Sequence, residues 1–296
     1  MKYALFLGCT VPTRGLNYEL SARKVAEKLG IELVDIPEFG CCGFPIRSLN
    51  QGAGFLMAAY ALALAEKQEL NIVTLCSACN ETLQEANHHF KRHPEELAAT
   101  NEKLKKYGLE YHGGVTIKHF ARMLWEDYGV EAIAEKIAKP LVGVSAAAHY
   151  GCHYLKPSEI YGHFDDPENP KSLDELIEVT GATAVRYFPE KDKCCGGAIL
   201  GVKEEVAFKM SRAKLEGVKS QNADAMVLIC PFCSVMYEGN QKKIEKAFET
   251  ELGIPIIYYP QLLGLALGFS SEELGFKLNR IKAKNLLAKV EAQATE

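Results

Sequence analysis

Residues 73–79 read Val-Thr-Leu-Cys-Ser-Ala-Cys, and residues 227–233 read Val-Leu-Ile-Cys-Pro-Phe-Cys. In each copy the apolar run predicts a buried strand, and the Cys-x-x-Cys after it predicts the first turn of a helix. The free N–H groups and the positive end of the helix dipole at such a turn favour a thiolate, which is the form of cysteine that binds metals. The chain therefore carries the same strand–cysteine–helix unit twice.

The repeat extends on both sides of these two segments. A Cys-Cys-Gly sequence lies upstream of each, at residues 41–43 and 194–196, with 33 intervening residues in the first half and 34 in the second. A cysteine preceded by glycine opens each half, in the segments 6–9 and 149–152. All ten cysteines of the protein belong to this repeated pattern: Cys9, Cys41, Cys42, Cys76, Cys79, Cys152, Cys194, Cys195, Cys230 and Cys233.

Short apolar segments alternate with segments of helical period around these cysteines. This alternation predicts an α/β fold in which a small parallel sheet is flanked by helices. A weaker similarity between residues 118–124 and 258–264 extends the duplication to nearly the whole chain. We therefore predict two pseudo-repeated domains, 1–140 and 141–296, each with a cysteine-rich cluster site.

The predicted strands are 2–7, 31–36, 72–75, 141–149, 184–188 and 225–229, and the predicted helices include 19–29, 54–68, 117–125, 130–137, 172–180 and 203–218. The sequence Ser172-Leu-Asp-Glu175 has the form of a capping box at the start of one of these helices.

Composition and charge narrow the class of protein. A chain of 296 residues with 48% hydrophobic and 24% charged residues is typical of a globular protein with two domains. The net charge of −4 argues against nucleic acid as a partner, and we interpret the basic stretch 277–289 as a solvated helical face. No apolar run is long enough to cross a bilayer, and the eight residues before Cys9 are too few for a secretory signal. We expect a cytoplasmic protein, and a framework of disulfides is not expected in that reducing compartment.

The number of thiols in each half bears on the kind of metal site. A structural zinc ion takes four tetrahedral ligands, usually as two separated pairs, whereas each half offers five thiols, two of them adjacent. Adjacent cysteines do not easily reach one tetrahedral ion, but they can bind different irons of a cluster. We therefore predict an iron–sulfur cluster in each half, with a zinc-bound scaffold without turnover as the alternative. His88, His89 and His93 lack carboxylate or cysteine neighbours at ligand spacing in the sequence, so we expect a solvated helix there.

Two histidines and several glycines lie next to the cysteines. His149 and His153 flank Cys152, and either could relay protons in a redox site. The alternative is that each is only hydrogen-bonded within the packing of the loop. Gly43 and the Gly196–Gly197 pair would let the backbone approach bound sulfur closely, where its N–H groups tune a redox potential.

The doubled Cys…Cys-Cys…Cys-x-x-Cys arrangement resembles the cysteine-rich CCG domain, and the whole chain resembles the B-type subunit of heterodisulfide reductase. The matching segments are 6–9, 41–43, 76–79, 149–153, 194–196, 230–233 and 261–265. The resemblance implies two noncubane [4Fe-4S] clusters, one held by each set of five cysteines. It also implies that a disulfide binds between them and is cleaved by two single-electron transfers. Gly43-Phe-Pro45 stands where archaeal members carry proline directly after the doublet, so the chain looks like a bacterial-type member.

The resemblance also implies partners. No G-x-G-x-x-G sequence follows a predicted strand, so the chain has no sequence signature of a flavin site and its electrons must come from other proteins. The family implies a C-type, ferredoxin-like iron–sulfur subunit together with an A-type, flavin-containing subunit. The substrate would be a disulfide, a persulfide or a protein-bound sulfur carrier. The alternative function is an electron-transfer subunit of a respiratory dehydrogenase of the glycolate, lactate or succinate type. Such subunits often carry extra ferredoxin-like cysteine runs, which this sequence lacks, so we favour the disulfide reductase.

Overall fold

The structure is a computed structural model that describes residues 1–292. Two four-stranded parallel sheets form the framework of the protein. The strand order is 2-1-3-4 in the first sheet, and the second sheet repeats it as 6-5-7-8. The predicted α/β fold of two repeated units is therefore confirmed. The strands are β1 (Lys2–Phe6), β2 (Glu32–Val34), β3 (Asn71–Thr74) and β4 (Ile117–His119), followed by β5 (Ser145–His149), β6 (Thr183–Ala184), β7 (Ala225–Leu228) and β8 (Ile256–Tyr258).

Helices flank both sheets. All four residues of β7 and three of the four residues of β3 are buried, because the central strands are covered on both faces. In the first half the helices are α1 (Val11–Arg14), α2 (Leu16–Lys28), α3 (Phe44–Arg47), α4 (Gln51–Lys67), α5 (Ser77–Arg92), α6 (Pro94–Leu104), α7 (Phe120–Met123) and α8 (Val130–Ala134). In the second half they are α9 (Cys152–Leu155), α10 (Ser172–Glu178), α11 (Glu204–Ser220), α12 (Pro231–Tyr237), α13 (Gln241–Ala247), α14 (Tyr259–Ala266) and α15 (Lys284–Ala292). Within residues 1–292 no helix combines the length and the apolar character that crossing a bilayer requires.

The fourth strand of each sheet is not predicted from the sequence. Residues 117–125 are predicted as one helix, but β4 pairs with β3 before the chain enters α7 and a π-helical turn, Leu124–Gly129. Strand β8 pairs with β7 in the same way. Strands of three residues carry too short a local pattern to be recognised, and they form because a neighbouring strand pairs with them. His119 and Tyr258 end these strands at matching places, so the alignment of 118–124 with 258–264 is wrong by one residue.

Helix α10 begins where predicted, but Ser172 does not cap it. The N-cap residue is Lys171, and Ser172 is the first residue of the helix. The free N–H groups of this turn bind groups from other segments instead. The Asp165 carboxylate accepts from the N–H of Lys171 at 3.2 Å and from that of Ser172 at 2.9 Å. The Tyr150 hydroxyl accepts from two further N–H groups at 3.1 and 2.9 Å. The predicted capping box is therefore wrong.

The two halves pack against each other through a shared apolar core. Helix α2 of the first half packs against α14 of the second. The rings of Tyr18 and Tyr258 stack with centroids 4.1 Å apart, and the Tyr18 hydroxyl donates to the Ile229 carbonyl at 3.2 Å. His119 Nε2 donates to the same carbonyl at 2.8 Å. Residues 135–144, which connect the halves, contain neither helix nor strand. The domain boundary at residue 140 stays a prediction.

Candidate metal centre

The cysteines lie at the carboxyl ends of strands β1, β3, β5 and β7 and in the loops beside them. Because the carboxyl ends of parallel strands meet at one edge of a sheet, each sheet gathers its five cysteines there. Cys76 and Cys230 directly precede α5 and α12 as their N-cap residues, as the sequence predicts. The Cys-x-x-Cys thiols are buried, whereas Cys9 is exposed. All ten cysteines are free thiols.

The thiol groups form a continuous series through each half. In the first half neighbouring thiols interact in the order Cys9, Cys41, Cys42, Cys79, Cys76. In the second half they interact in the order Cys152, Cys194, Cys195, Cys233, Cys230. The Sγ atoms of Cys152 and Cys194 are 4.0 Å apart. The two series meet at Cys76 and Cys230, which lie close enough to alter each other's pKa. The structure thus brings together all ten of the cysteines that the sequence singles out, along one path across both halves.

Interactions between thiols hold the pKa of one cysteine in each doublet low, and they also hold the pKa of Cys230 well below its ordinary value. The Cys41 thiol hydrogen-bonds to Cys42 and is the main reason that the pKa of Cys42 falls to about 4. Cys152 acts in the same way on Cys194, whose pKa falls to about 2. The N–H of Gly196 also donates to Cys194 Sγ, at 3.3 Å. One cysteine of each doublet is therefore a thiolate at neutral pH, and the thiolate is the form that binds metal.

The glycine after each doublet is required by the backbone. Gly43 has φ +96° and Gly196 has φ +81°, in the left-handed region that residues with a Cβ disfavour. A Cβ at Gly43 would lie 2.7 Å from the carbonyl oxygen of Gly54 in α4, and one at Gly196 would lie 3.0 Å from Ala207 in α11. The doublet loop of each half can therefore press against its following helix. The Gly43 N–H donates to Cys41 Sγ at 3.5 Å, so the turn also directs backbone toward sulfur.

The spacing of the thiols does not suit a single metal ion. A tetrahedral zinc ion with Zn–S bonds of about 2.3 Å brings its sulfur ligands to about 3.8 Å from one another. Within residues 1–292, the only group of three or more potential ligand atoms that lie within 4.8 Å of one another is formed by His93, Glu95 and Glu96. This group contains no cysteine. The donor set is thus all sulfur and is spread more widely than one ion requires, which fits a cluster of several irons.

The histidine-rich segment has carboxylate neighbours that its sequence does not reveal. It is helical, as expected, and spans the end of α5 and the start of α6. His89 Nε2 lies 2.9 Å from Glu96 Oε2, and His93 Nδ1 lies 3.5 Å from Glu95 Oε1. The expectation that these histidines lack neighbouring carboxylates is therefore wrong. Glu95 and Glu96 are exposed, and pairs of this kind are common on solvated helices.

A cavity of about 590 Å³ opens beside the first set of thiols. Cys9, Cys42, Cys76 and Cys79 line it from the first half. His153, Ala198 and Phe232 line it from the second half, so the cavity lies between the two halves. Phe44 contacts two of these residues, with ring centroids 5.1 Å from His153 and 6.5 Å from Phe232. The cavity is lined mainly by apolar and sulfur atoms, with His153 and Arg47 among its few polar side chains.

A buried carboxylate, which the sequence does not identify, contacts two of the residues that line this cavity. Glu81 in the first turns of α5 is 3% exposed. Its carboxylate accepts from Arg47 Nη1 at 2.8 Å and lies 3.4 Å from His153 Nδ1. Burial opposes ionisation of Glu81, but hydrogen bonds from His153 and Arg47 outweigh it and lower the pKa of this carboxyl. The predicted His153 thus contacts the paired Glu81 and Arg47 of the first half, and this contact joins both halves. Only the Cys-x-x-Cys-x-Glu spacing could have drawn attention to Glu81.

The second predicted histidine, His149, is fully buried beside the second set of thiols. Its Nδ1 lies 3.2 Å from Nζ of Lys214, a buried lysine that no sequence pattern singles out. Burial, opposed by the nearby thiols, lowers the pKa of Lys214 to about 8. Burial and the Lys214 charge hold the pKa of His149 well below its ordinary value, so this imidazole is neutral. The proton-relay role of either histidine stays a prediction.

Comparisons with known proteins show which family the chain resembles. A family model described as a cysteine-rich domain, CCG, matches residues 3–84 and 146–238. The B-type subunit of the ferredoxin:CoB-CoM heterodisulfide reductase of Methanosarcina mazei is 36% identical over 293 residues, which are 98% of this chain and 97% of that protein. The membrane anchor subunit of the 8-methylmenaquinol:fumarate reductase of Wolinella succinogenes is 30% identical over 286 residues, 96% of this chain and 99% of that protein.

A solved structure shares the fold. The crystal structure of a hypothetical protein from Helicobacter pylori superposes with a TM-score of 0.76 on 95% of this chain and 52% of that one, at 20% identity. The two matched segments of the cysteine-rich model cover more than half of the chain, and each contains all five cysteines of its half. From the duplicated domain and from similarity along nearly its whole length, we conclude that the chain belongs to the family of heterodisulfide reductase B-type subunits, whose cysteine-rich CCG domain it carries twice.

Proposed function

We propose that this chain is the catalytic iron–sulfur subunit of a heterodisulfide reductase-like complex. The observation that carries the proposal is the meeting of two five-thiol series at Cys76 and Cys230, beside a cavity that both halves line. Two adjacent, equivalent redox sites suit a substrate with two equivalent sulfurs. Cleavage of the S–S bond consumes two electrons and two protons and releases two thiols. The reverse reaction forms the disulfide and returns the electrons and protons.

In this proposal each half holds one noncubane [4Fe-4S] cluster through its five cysteines, with the halves divided at residue 140. The bound clusters would supply electrons one at a time and a place for each substrate sulfur. The protein itself shapes the cavity. Phe44 and Phe232 would exclude water from the disulfide and contact the carbon atoms beside it. His153 lines the same cavity, with Glu81 beside its Nδ1, and we retain it as the candidate proton relay.

The names of the relatives support a multisubunit assembly. The Methanosarcina mazei relative is the B-type component of a ferredoxin-dependent reductase. We propose that this chain receives electrons from a C-type, ferredoxin-like iron–sulfur subunit. An A-type, flavin-containing subunit would supply electrons to that C-type subunit. The substrate class is a disulfide, a persulfide or a protein-bound sulfur carrier that reaches the cavity between the halves.

Metal analysis of anaerobically purified protein is the first test. We expect about eight iron and about eight acid-labile sulfide per chain with negligible zinc, as two four-iron clusters require. Cys76→Ser and Cys230→Ser form a matched pair, one in each half, and each should lower the iron content by about four per chain. One or two zinc ions per chain with no sulfide would contradict the proposal and favour the zinc-bound scaffold.

A disulfide assay then tests the chemistry. The loaded protein, reduced with a viologen dye, should release two thiols from each molecule of at least one disulfide in a panel. Both serine variants should lose this activity although the cluster of the unaltered half can still be reduced. Retained activity in either variant would contradict a reaction that uses both halves.

The Wolinella succinogenes relative, which belongs to a fumarate reductase, favours a second candidate function. In that case the chain would pass electrons within a respiratory complex without disulfide chemistry of its own. Two results together would favour this function over the disulfide reductase. A quinone analogue would reoxidise the clusters that the dye has reduced, and no disulfide of the panel would release thiols.

A further inference from the structure

The surroundings of the two sets of thiols differ at structurally equivalent positions. The residue that ends the strand before the first cysteine is Phe6 in β1 and His149 in β5. The residue four positions after the last cysteine is Leu83 in α5 and Tyr237 in α12. All four side chains are fully buried. The first half is therefore apolar at both positions, whereas the second half places a polar side chain at each.

A third position shows the same difference. Gly43 contacts α4 at Gly54, and Gly196 contacts α11 at Ala207, so these contacts align the two helices. Seven residues further along, the aligned positions hold Ala61 in α4 and Lys214 in α11. Both side chains are buried. The second half thus replaces an apolar side chain by a buried ammonium group.

Lys214 determines which nitrogen of His149 carries the proton. Its Nζ lies 3.2 Å from His149 Nδ1 and also donates to the carbonyl oxygens of Lys191 and Lys193. An ammonium group only donates, so Nδ1 must accept and the imidazole proton sits on Nε2. This Nε2 is buried and has no hydrogen-bond partner among residues 1–292. A Cβ on Gly151 would lie 3.9 Å from Nε2 and 3.7 Å from Cys233 Sγ, so both atoms face the same turn.

The Tyr237 hydroxyl is a second buried donor without a partner among the described residues. Its ring packs edge-on against His149, with centroids 4.9 Å apart. The thiols of Cys195, Cys233, Cys194 and Cys152 lie close enough to raise its pKa, after burial, which is the largest cause. Buried donors are nearly always paired in native proteins, so two of them beside one set of thiols point to an acceptor at that place. Sulfur atoms of a bound cluster would be such an acceptor.

The cation near the first set of thiols is paired with carboxylates. Arg47 is the cation beside Cys42, but it pairs with two carboxylates, Glu81 at 2.8 Å and Glu85. The Thr82 hydroxyl donates to Glu81 at 3.4 Å and also helps to lower the pKa of the Cys42 thiol. Glu81 also lies 3.4 Å from His153 Nδ1, so the charged groups beside the first set are engaged with one another. His149 Nε2 and the Tyr237 hydroxyl, in contrast, have no partner among residues 1–292.

We propose that the His149 Nε2–H and the Tyr237 O–H donate to the sulfur atoms of the second-half cluster and give it a higher reduction potential than the first-half cluster. This inference rests on the proposed function, because it presumes a cluster in each half. Donors directed at cluster sulfur stabilise the additional negative charge of the reduced state, so they raise the potential. The first electron to enter the chain then resides in the second half.

Tyr237→Phe tests this with the least disturbance of the fold. The variant keeps the ring and removes only a hydroxyl that has no partner among residues 1–292, so folding should not suffer. The matched control is Tyr259→Phe, because the Tyr259 hydroxyl is also fully buried and without a partner in the described part of the chain, but no cysteine affects its pKa. The measurement is a redox titration of the iron-loaded full chain, followed by electron paramagnetic resonance.

In the wild type we expect two one-electron transitions. At the midpoint of the higher one, Tyr237→Phe should lower the ratio of reduced to oxidised cluster by about three- to tenfold, where tenfold corresponds to about 59 mV. The lower transition, and both transitions of Tyr259→Phe, should stay in place. An unshifted higher transition in Tyr237→Phe, or a shift of the lower one instead, would overturn the inference and leave the proposed function intact. A wild-type chain without iron and sulfide would overturn both.

Discussion

At the residue scale, Gly43 shows how tightly the backbone of a cysteine doublet is fitted. We expect Gly43→Ala to lower the free energy of unfolding by about 2–4 kcal/mol, from backbone strain at φ +96° together with the contact of 2.7 Å on the Gly54 carbonyl oxygen. Urea denaturation of the full chain, read from the midpoint at constant slope, measures this loss.

Substitutions at two other glycines distinguish the effect of backbone strain from the effect of the close contact with Gly54. Gly30 has φ +70° but open space around its Cα, so Gly30→Ala should cost only the conformational strain, about 1–2 kcal/mol. Gly40 has neither a left-handed backbone nor a close neighbour, and Gly40→Ala should not destabilise the protein. If Gly43→Ala cost no more than Gly30→Ala, the close approach of the doublet loop to α4 would contribute nothing.

At the scale of elements, charged pairs hold the π-helical turn Leu124–Gly129 against β4. Glu126 binds Lys118 at 2.8 Å and Arg122 at 2.9 Å, and it is about one-third exposed. Burial opposes its ionisation, but these two cations outweigh burial and lower its pKa from the ordinary value of 4.5. We expect Glu126→Gln to destabilise the protein by about 0.5–1 kcal/mol at neutral pH, a value reduced by solvent screening.

The pH dependence of this difference follows from the direction of the pKa shift. A carboxyl whose pKa is lower in the folded state stabilises the protein above its unfolded pKa. The advantage of the wild type over Glu126→Gln should therefore be complete above about pH 5 and disappear as the pH falls below 4.5 through the lowered pKa of Glu126. Glu205→Gln, which removes the exposed partner of Lys209, should give a smaller change at every pH. A Glu126 difference that does not change with pH would contradict an electrostatic origin.

These elements also show what the sequence can predict. The strands before Cys76 and Cys230 are predicted because an apolar run ends at a metal-binding motif and the pattern occurs twice. Strands β4 and β8 are not, since three residues hold no period and only pairing with β3 and β7 makes them strands. The cap of α10 comes from Asp165, which lies in a preceding loop and follows no spacing rule.

At the candidate site, too, features with a local sequence pattern can be predicted and features made by distant contacts cannot. The ten thiols can be identified from the sequence because ligands recur at fixed spacing. The groups around them cannot, since Glu81 becomes a partner of His153 only when the two halves meet. Lys214 likewise looks like any lysine of an amphipathic helix until the fold buries it against His149. Burial and contacts between distant segments assign these roles, and neither leaves a local pattern.

At the scale of the whole molecule, the two repeated units share interior surfaces rather than merely touching. Tyr18 of α2 is 1% exposed because Tyr258 stacks on it and α14 covers the helix. Asn17, also in α2, donates to Asn279 Oδ1 at 3.2 Å, and Asn279 in turn accepts from Gln261 at 3.0 Å. A helix of the first unit thus completes its burial only with residues from the end of the second.

This packing predicts that residues 1–140 do not form a stable domain alone, although they contain a complete sheet. Without the second half, Tyr18 and the apolar face of α2 would be exposed to water, which costs stability that a domain of this size can hardly lose. We expect the isolated fragment to bind a hydrophobic dye and to unfold without a cooperative transition. Addition of the fragment 141–296 should restore a single sharp transition. The full chain should unfold in one step, because its halves share a core. A sharp transition of the fragment 1–140 alone would instead make each half an independent domain and the contact between α2 and α14 a docking surface.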